Sequence, residues 1–279
     1  MLVSIITVNL NDRVGLERTC ASVFKQSFTD YEHIIIDGAS VDGSLDYIET
    51  RNDKFSYWIS EPDSGVYCAM NKGIRQAKGK YLLFLNSGDI LCNDKVLSDV
   101  KPALGNDIDF IYGNLRIEEE NGESFINKYP EVLDFNFFKT TSLGHASTFI
   151  KRSLFEVYGE YRTDLKIVSD WAFFLSAICI EKLLYLKIDK TISIFYEGGL
   201  STASTYDKLH KEERKNVLLE NFDHYEQGYN ELLDEYRKFK IWISLINDKL
   251  PVVVSNRYTL KIVNFVISLL GGILIKKRQ

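Results

Sequence analysis

The sequence lacks the patterns that identify several common classes of protein. Its four cysteines, Cys20, Cys68, Cys92 and Cys179, are scattered and form no CxxC pair, so neither a zinc site nor a disulfide framework is indicated. A net charge of -5 argues against a nucleic-acid partner, which would usually require a basic face. No GxGxxG follows the first strand and no GKS or GKT occurs, so an NAD enzyme or a P-loop NTPase is not expected.

Linker and targeting signals are also missing. Glycine and proline do not cluster anywhere, and the N-terminal MLVSIITVNL lacks the basic region and cleavage site of a signal peptide. The scattered cysteines fit a reducing cytosol. The composition, 45% hydrophobic and 26% charged, is that of an ordinary globular protein. A length of 279 residues predicts one large domain with an appendage, or two closely packed domains.

The first half of the chain alternates apolar strand patterns with helical ones. The run YLLFL, from Tyr81 to Leu85, has no polar alternation, which is typical of a parallel strand covered on both faces and in the middle of a sheet. The βαβα order predicts an α/β protein with a doubly wound, mostly parallel sheet. The strands are predicted at 2–8, 31–37, 55–60, 81–86 and 109–112, and helices at 14–24, 45–50 and 66–77.

Two acids follow neighbouring apolar strands of this sheet. Asp37 comes after HIII, and Asp89 comes after LLFLN. Ligands of open α/β sheets bind beyond the carboxyl ends of the strands. Each acid alone could also be a helix cap. Together, with a glycine-containing loop after one of them, they favour a site for a nucleoside and a metal-bound phosphate.

The sequence resembles the family 2 glycosyltransferases, which have the GT-A fold. The stretch from Glu61 to Asp89, which is the third of the four segments quoted at the end of this paragraph, is particularly similar to bacterial members that build capsule, O-antigen or exopolysaccharide chains. The resemblance implies a GT-A domain at 1–204, with a nucleotide-binding half at about 1–113 and an acceptor half at about 114–204, and a C-terminal helical extension at 205–279. The segments, in order, are SIITVNLN, IIIDGASVDGS, EPDSGVYCAMNKGIRQAKGKYLLFLNSGD and GHASTFIKRSLFEVYGEYRTDLKIVSDWAFFL.

The resemblance also implies a set of residues that bind the nucleotide. Thr7, Asn9 and Asp37 would hold the nucleobase and ribose. Asp63 and Asn71 lie in a segment that helps to frame the nucleotide in such enzymes. Asn71 has an alternative role as a residue inside a helix that bonds to a neighbouring loop.

The segment NSGD stands where the family has its DxD motif. Asp89 would bind a divalent cation, Mn²⁺ or Mg²⁺, on the diphosphate, and Asn86 replaces the usual first acid. An amide oxygen can coordinate a hard cation or bond to ribose, but it adds no negative charge. Metal affinity is therefore expected to depend heavily on the nucleotide phosphates.

The acceptor side is implied by two further positions. Asp170, in VSDWAFF, matches the ED-like motif that supplies a general base, with Ser169 where Glu is more common. Its alternative role is a helix cap. His145, in GHASTF, would shape the acceptor site or contact the diphosphate, or be purely structural. The implied reaction is a single displacement that inverts the anomeric configuration.

The last third of the sequence has two further patterns. A long helix with one apolar and aromatic stripe is expected, either packed on the catalytic domain or forming the seam of a homodimer. Residues 251–279 contain five Lys or Arg and no acid around an apolar run too short to span a bilayer, which favours a peripheral position on the inner face of the cell membrane over packing on the protein. The stripe consists of Leu218, Phe222, Tyr225, Tyr229, Leu232, Tyr236, Phe239, Ile243 and Ile246.

The sequence as a whole therefore predicts a sugar transferase in the synthesis of a bacterial surface polysaccharide. The donor would be a nucleoside-diphosphate sugar, with a UDP-sugar favoured, and the acceptor a glycan or a lipid-linked sugar. Paired glycines, Gly198 and Gly199 in YEGGLST, would allow a loop to close over the site or would simply form a turn. Two other classes stay open: an inactive protein that binds sugar nucleotides as a scaffold, and a nucleotidyltransferase that releases pyrophosphate.

Overall fold

A mixed β-sheet with helices on its faces forms the centre of the protein. The computed structural model describes residues 1–119, 121–197, 206–222, 228, 231 and 233–240. The chain divides into two units, Met1–Val217 and Leu218–Gln279. The strands are β1 Val3–Asn9, β2 Tyr31–Asp37, β3 Tyr57–Ser60, β4 Tyr81–Phe84, β5 Ile90–Leu91, β6 Phe110–Glu118, β7 Ser124–Asn127, β8 Thr148–Lys151 and β9 Tyr185–Tyr196. The helices are α1 Arg13–Phe24, α2 Ser44–Glu49, α3 Val66–Gln76, α4 Val96–Leu104, α5 Phe135–Thr140, α6 Ser153–Tyr158, α7 Ser169–Leu175 and α8 Asp207–Asn221.

The sheet has the strand order β3-β2-β1-β4-β8-β6-β9-β5, and β7 pairs with β6. Strands β3, β2, β1 and β4 are parallel to one another, and β9 is parallel to β6. Strand β8 lies between β4 and β6 and runs antiparallel to both. The predicted α/β class is confirmed, and the nonalternating strand β4 lies inside the sheet with its four residues fully buried.

Helix α3 lies directly against the centre of the parallel half. It approaches β1 so closely that a Cβ atom on Gly73 would lie 2.4 Å from Cγ2 of Ile6, which no real Cβ contact tolerates. Only glycine allows this distance between the helix and the strand. The close packing matters for function because α3 carries side chains that reach the segments beyond β8.

A buried histidine lies beneath this half of the sheet. His33 on β2 is 1% exposed and packs edge to face against Phe24 and Phe55. Its Nε2 is 2.9 Å from Oγ1 of Thr7, and its Nδ1 has no partner in the described part of the chain. Burial among apolar rings disfavours the imidazolium and lowers the pKa of His33 to about 3.

His33 should therefore make the fold acid-sensitive. Its pKa is about 3 when folded and about 6.5 when unfolded. The unfolded chain therefore binds the proton first as the pH falls. The contribution of His33 is fully present above pH ~6.5 and is lost toward pH ~3.

We expect the free energy of unfolding of wild type, minus that of His33→Asn, to fall by about 2 to 3 kcal/mol between pH 7 and 4.5. Urea titrations of both proteins at each pH measure this difference. Taking the difference cancels the other titrating groups, including buried carboxyls whose effect has the opposite sign. A difference that stays constant with pH would contradict the assignment.

The C-terminal predictions fall largely outside the described residues. Helix α8 ends at Asn221, and helical conformation is described again at 233–240. Gly198, Gly199 and the basic segment 251–279 lie outside, as do Tyr225, Tyr229, Leu232, Ile243 and Ile246 of the stripe. The dimer seam and the membrane contact therefore stay predictions. Among the residues that are described, no helix is long and apolar enough to cross a membrane.

Candidate active site

A row of hydrogen-bonded polar side chains runs along the carboxyl edge of β3, β2, β1 and β4. Ser60 Oγ donates to Asp37 Oδ2 at 2.6 Å, and Asn9 Nδ2 donates to Asp37 Oδ1 at 2.7 Å. Ser87 Oγ, from the turn after β4, donates to Asn9 Oδ1 at 2.7 Å. The strand ends that the sequence singled out are therefore joined into one edge, as parallel strands require.

Asp37 has no hydrogen-bonding capacity to spare in this row. Besides Ser60 and Asn9, its carboxylate accepts bonds from the hydroxyl of Ser40 at 2.6 Å and from its backbone N–H at 2.9 Å. It is fully buried. In this conformation Asp37 fixes the loop after β2, and a direct contact with a nucleoside would require one of these donors to leave.

Asp63 is placed differently at the same edge. Its Oδ1 accepts a bond from Gly65 N at 3.0 Å, while its Oδ2 accepts none from the described residues. A Cβ atom on Gly38 would lie 3.1 Å from that Oδ2. Asp63 thus keeps a carboxylate oxygen free for a ligand, close to the loop that Asp37 holds.

The side chains of Thr7 and Asn71 are used inside the protein. Thr7 bonds to His33, as described above. Asn71 Nδ2 donates to the backbone oxygen of Tyr161 at 2.8 Å, and Asn71 Oδ1 accepts from Tyr161 N at 3.0 Å. This pair of hydrogen bonds matches the alternative in which Asn71 attaches α3 to a neighbouring loop. A nucleotide-framing role for either side chain stays a prediction.

The NSGD turn presents a buried carboxylate. Asp89 is 4% exposed, and its Oδ2 accepts a bond from Asn86 N at 3.2 Å. Gly88 turns the chain at φ +100°, and Thr19 Oγ1 ties the turn to α1 by donating to Asp89 O at 2.7 Å and accepting from Gly88 N at 3.1 Å. Burial raises the pKa of Asp89 to about 6, and the charge of His145 partly opposes this.

The potential metal ligands around Asp89 suit a divalent cation. The amide oxygen of Asn86 is buried without a partner among the residues that the structure describes, and Nε2 of His145 is 3.9 Å from Asp89 Oδ2. Carboxylate, amide oxygen and imidazole are ligands that Mn²⁺ accepts, and Mg²⁺ accepts the oxygens. No cluster of three or more His, Cys, Asp or Glu able to hold a metal occurs in the described part of the chain. The remaining ligands would therefore come from the phosphates of the nucleotide.

Asp170 lies on the other side of His145. Its Oδ2 is 3.1 Å from His145 Nδ1, and its Oδ1 accepts a bond from the hydroxyl of Tyr67 at 2.7 Å. Burial opposes its ionisation, but the hydrogen bond and charge of His145 and the Tyr67 hydroxyl outweigh it, so the pKa of Asp170 is lowered. Its place in the first turn of α7 also favours the charged form.

His145 connects the two acids. Burial by itself would lower the pKa of its imidazole, but Asp170 and then Asp89 reverse this, and the net shift is upward. Its Nδ1 faces Asp170, and its Nε2 is 3.3 Å from the amide nitrogen of Asn86. Asp89 and Asp170, which are distant in sequence, are thus brought to opposite sides of one imidazole.

Several groups in this arrangement were not predicted. Ser87 lies inside the NSGD motif and could have been noticed, but Ser40, Ser60 and Tyr67 have no pattern of their own. A cavity of about 320 Å³ opens beside Asp170 and includes two residues of α8, His210 and Arg214. Those two were also missed, because they come from a helix that the sequence assigned to the extension.

An open α/β sheet with a buried carboxylate in the turn after its fourth strand, facing a second carboxylate on a helix of the other half, is the arrangement of a GT-A glycosyltransferase. Residues 4–159 match the family model described as Glycosyl transferase family 2. The chain belongs to this family of glycosyltransferases, as the sequence predicted.

Two curated relatives illustrate the similarity. An uncharacterised glycosyltransferase of Mycobacterium tuberculosis is 34% identical over 188 residues, which cover 64% of this chain and 69% of the relative. From Escherichia coli, the UDP-Glc:alpha-D-GlcNAc-diphosphoundecaprenol beta-1,3-glucosyltransferase WfgD is 28% identical over 55% of this chain and 61% of its own.

Two solved structures share the fold. Staphylococcus aureus TarS 1-349 in complex with UDP-GlcNAc has a TM-score of 0.62 at 19% identity, covering 80% of this chain and 67% of that chain. GalNAc-T7 with UDP, GalNAc and Mn²⁺ has a TM-score of 0.59 at 18% identity, covering 81% of this chain and 49% of that one. At these identities the likeness confirms the fold, and the GT-A prediction with it. GT-A neighbours have thus been crystallised with a nucleotide sugar and with Mn²⁺.

Proposed function

We propose that this glycosyltransferase is an inverting, metal-dependent enzyme that moves a sugar from a nucleoside-diphosphate sugar to a hydroxyl of a glycan or lipid-linked acceptor. Bacterial surface polysaccharide is the proposed product class, and a UDP-sugar the preferred donor. The observation that carries the proposal is the row Asp89, His145 and Asp170, in which a buried acid at the nucleotide edge and an ionised acid at the start of α7 face one imidazole.

The proposed base is Asp170. Its lowered pKa keeps it ionised at neutral pH, so it is ready to accept the proton of the acceptor hydroxyl. Tyr67 bonds to Oδ1 of Asp170 and His145 bonds to Oδ2, which fixes the plane of the carboxylate. Each of the two carboxylate oxygens keeps one free lone pair. Because such a low pKa makes a weak base, proton transfer should accompany attack on the anomeric carbon.

The donor side is assigned to the strand edge. Asp89 and the amide oxygen of Asn86 would hold the cation together with Nε2 of His145, which would have to lose its proton to bind a metal. The bound cation would neutralise charge on the departing diphosphate. The free oxygen of Asp63 is proposed to contact the base or ribose. Asn9 and Asp37 hold the two turns on either side in place, and Thr7 bonds to His33 on the neighbouring strand. We also retain the division into a nucleotide half at about 1–113 and an acceptor half at about 114–204.

A donor screen tests the proposal. Purified protein is incubated with Mn²⁺ or Mg²⁺ and a panel of UDP-, GDP- and dTDP-sugars, and release of the nucleoside diphosphate is followed. We expect slow, metal-dependent cleavage of one donor even without an acceptor. Asp53→Ala serves as a control, because that acid is exposed and lies away from the site.

The same screen separates the alternatives. A nucleotidyltransferase would release pyrophosphate from a nucleoside triphosphate, which is assayed in parallel. A scaffold would bind a sugar nucleotide in calorimetry without cleaving it. If no sugar nucleotide is either cleaved or bound with metal present, the proposed donor site is wrong.

A further inference from the structure

The cavity beside Asp170 is lined by one carboxylate and two basic side chains. Its volume is about 320 Å³, and Asp170 is the carboxylate in its lining, already bonded to His145 and Tyr67. Across it, α8 contributes a guanidinium and an imidazole. The polar side chains of the lining are Thr140, Thr141, Ser142, Asp170, Trp171, His210 and Arg214.

Arg214 is held firmly in the wall of this cavity. Its guanidinium stacks on the ring of Trp171 at 4.4 Å, and one of its terminal nitrogens donates to the backbone oxygen of Phe138 at 3.0 Å. The indole nitrogen of Trp171 donates to the same oxygen at 2.8 Å. The same terminal nitrogen also donates to the backbone oxygen of Thr141 at 2.5 Å. These contacts fix the plane of the guanidinium and, among the described residues, leave its other terminal nitrogen without an acceptor, so that this nitrogen can bind an anion.

The charge of Arg214 is only partly offset by the protein around it, through Asp170 at a distance. Within the described residues it forms no ion pair at 4.0 Å, and its Nε is buried without an acceptor. Burial lowers its pKa to about 10, so it stays charged at neutral pH. A half-buried guanidinium that donates to backbone oxygens but forms no ion pair with the described residues would be stabilised by an anion from outside.

His210 adds to the same field. It lies one helical turn before Arg214 and lines the same cavity. Its pKa is lowered first by burial and then by the charge of Arg214, while Asp170, Glu213 and Asp207 act in the opposite direction. An anion placed between the two side chains would reverse the effect of Arg214 and raise the pKa of His210.

We propose that Arg214 and His210 form a binding subsite for a phosphate or diphosphate group carried by the acceptor. The inference rests on the proposed function, since it places the acceptor hydroxyl at Asp170 and its phosphate at α8. The hydroxyls of Thr141 and Ser142 in the lining are of the kind that bind phosphate oxygens. The site is separate from the donor diphosphate, which belongs at Asp89 across His145.

The name of the Escherichia coli relative is consistent with this chemistry, because its stated acceptor is a diphosphate-linked sugar. The proposed subsite leads to a specific expectation: acceptors with a phosphate next to the accepting sugar should bind much better than neutral glycosides of the same sugar.

The first test uses wild-type protein and decyl diphosphate as the probe, with UDP and Mg²⁺ at saturation to occupy the donor site. The chain has four histidines, so their ring C–H signals can be followed by NMR and His210 assigned with His210→Gln. We expect the pKa of His210 to rise by about one unit when the probe binds, as a nearby opposite charge requires. No change at His210 under saturating probe overturns the subsite.

Variants of α8 provide the second test. Arg214→Gln should weaken decyl diphosphate binding by about 10- to 100-fold, the size expected for hydrogen bonds to a charged group, and Arg214→Lys should fall between the two. Lys215→Gln is the matched control, because it removes the same charge from an exposed neighbour on the same helix. Equal weakening by the control would show a general charge effect and overturn the assignment. Thermal unfolding checks that Arg214→Gln is folded. If this variant does not fold, the NMR response of His210 in the wild-type protein decides whether the subsite exists.

Two further probes identify the anion. Decyl maltoside should not bind, and if it binds as tightly as the diphosphate, the cavity recognises the alkyl chain. Decyl glucuronide should bind weakly, and if it alone binds, the site recognises a carboxylate. Either result overturns the proposal. If the donor screen fails while the His210 response is intact, the transferase function is contradicted and the anion site stands. If a donor is cleaved but His210 does not respond, the transferase function stands and the anion site is contradicted.

Discussion

Replacing Asp170 with Asn should lower the rate of sugar transfer by about 10³-fold, within the range contributed by a general base. The amide can still accept the hydroxyl of Tyr67, so the local structure should persist, but it cannot take the proton of the acceptor. The affinity for the donor should stay close to that of wild type, because Asp170 lies on the acceptor side of His145. Transfer is measured with the donor that the screen identifies and a panel of phosphate-linked and neutral acceptors.

Two variants make this result specific. Asp164→Asn makes the same chemical change in the loop before α7, where the carboxylate is exposed and paired with Arg162, and it should transfer sugar normally. Tyr67→Phe removes one of the bonds that orient Asp170 and should cause a smaller loss, in kcat rather than in KM. If Asp170→Asn keeps more than a tenth of the wild-type rate, Asp170 is not the base.

Replacing Asp89 with Asn should lower metal-dependent cleavage of the donor by about 10²- to 10³-fold, because the cation that stabilises the leaving diphosphate loses its charged protein ligand. The rate is measured across a titration of Mn²⁺, and the variant should not recover at saturating metal. Asp94→Asn is the matched control, since that side chain is exposed and lies five residues further along the chain. Normal cleavage by Asp89→Asn would exclude Asp89 from the metal site.

The same substitution should have the opposite effect on stability. A carboxyl whose pKa is raised to about 6 by burial destabilises the folded protein above that pH, here by about 3 kcal/mol relative to the unfolded chain. Asn removes this penalty, and its amide oxygen can still accept the bond from Asn86 N. Asp89→Asn should therefore unfold at higher urea concentration than wild type at pH 7.5, without metal. Destabilisation would instead indicate that Asp89 is a structural cap.

The sequence predicted the parts of this molecule that have a local signal. The parallel strands β1 to β4 are apolar runs, and Asp37 and Asp89 mark their ends, so the edge of the sheet and one acid of the site followed directly. Strands β5 and β7 were missed because the first has two residues and the second, with Phe125 and Ile126 exposed, lies at the border of the sheet without a buried face. Strand β9 was missed because charged residues interrupt it.

The detailed chemistry of the site depends on contacts that no local pattern encodes. Asp37 receives its four hydrogen bonds from three different elements, and serine donors are too common to be recognised in a sequence. Arg214 reaches the cavity from a helix about forty residues beyond Asp170, and only the folded chain places it there. The resemblance to a family supplied the role of Asp170, whereas the structure supplied its partners.

Helix α3 attaches twice to the segment that precedes and begins α7. Asn71 bonds both backbone groups of Tyr161, and the hydroxyl of Tyr67 reaches Ile167 O at 2.6 Å as well as Asp170. Helix α3, packed on the nucleotide-side strands, therefore helps to set the position of Asp170, and α8 holds the same segment through Glu213, whose carboxylate accepts bonds from Lys166 N at 2.7 Å and from Ile167 N at 3.0 Å. This separates two properties that an engineer would wish to alter independently: His210 and Arg214, which line the cavity, could be exchanged to accept a new acceptor, while α3 and Glu213 keep the position of Asp170 fixed.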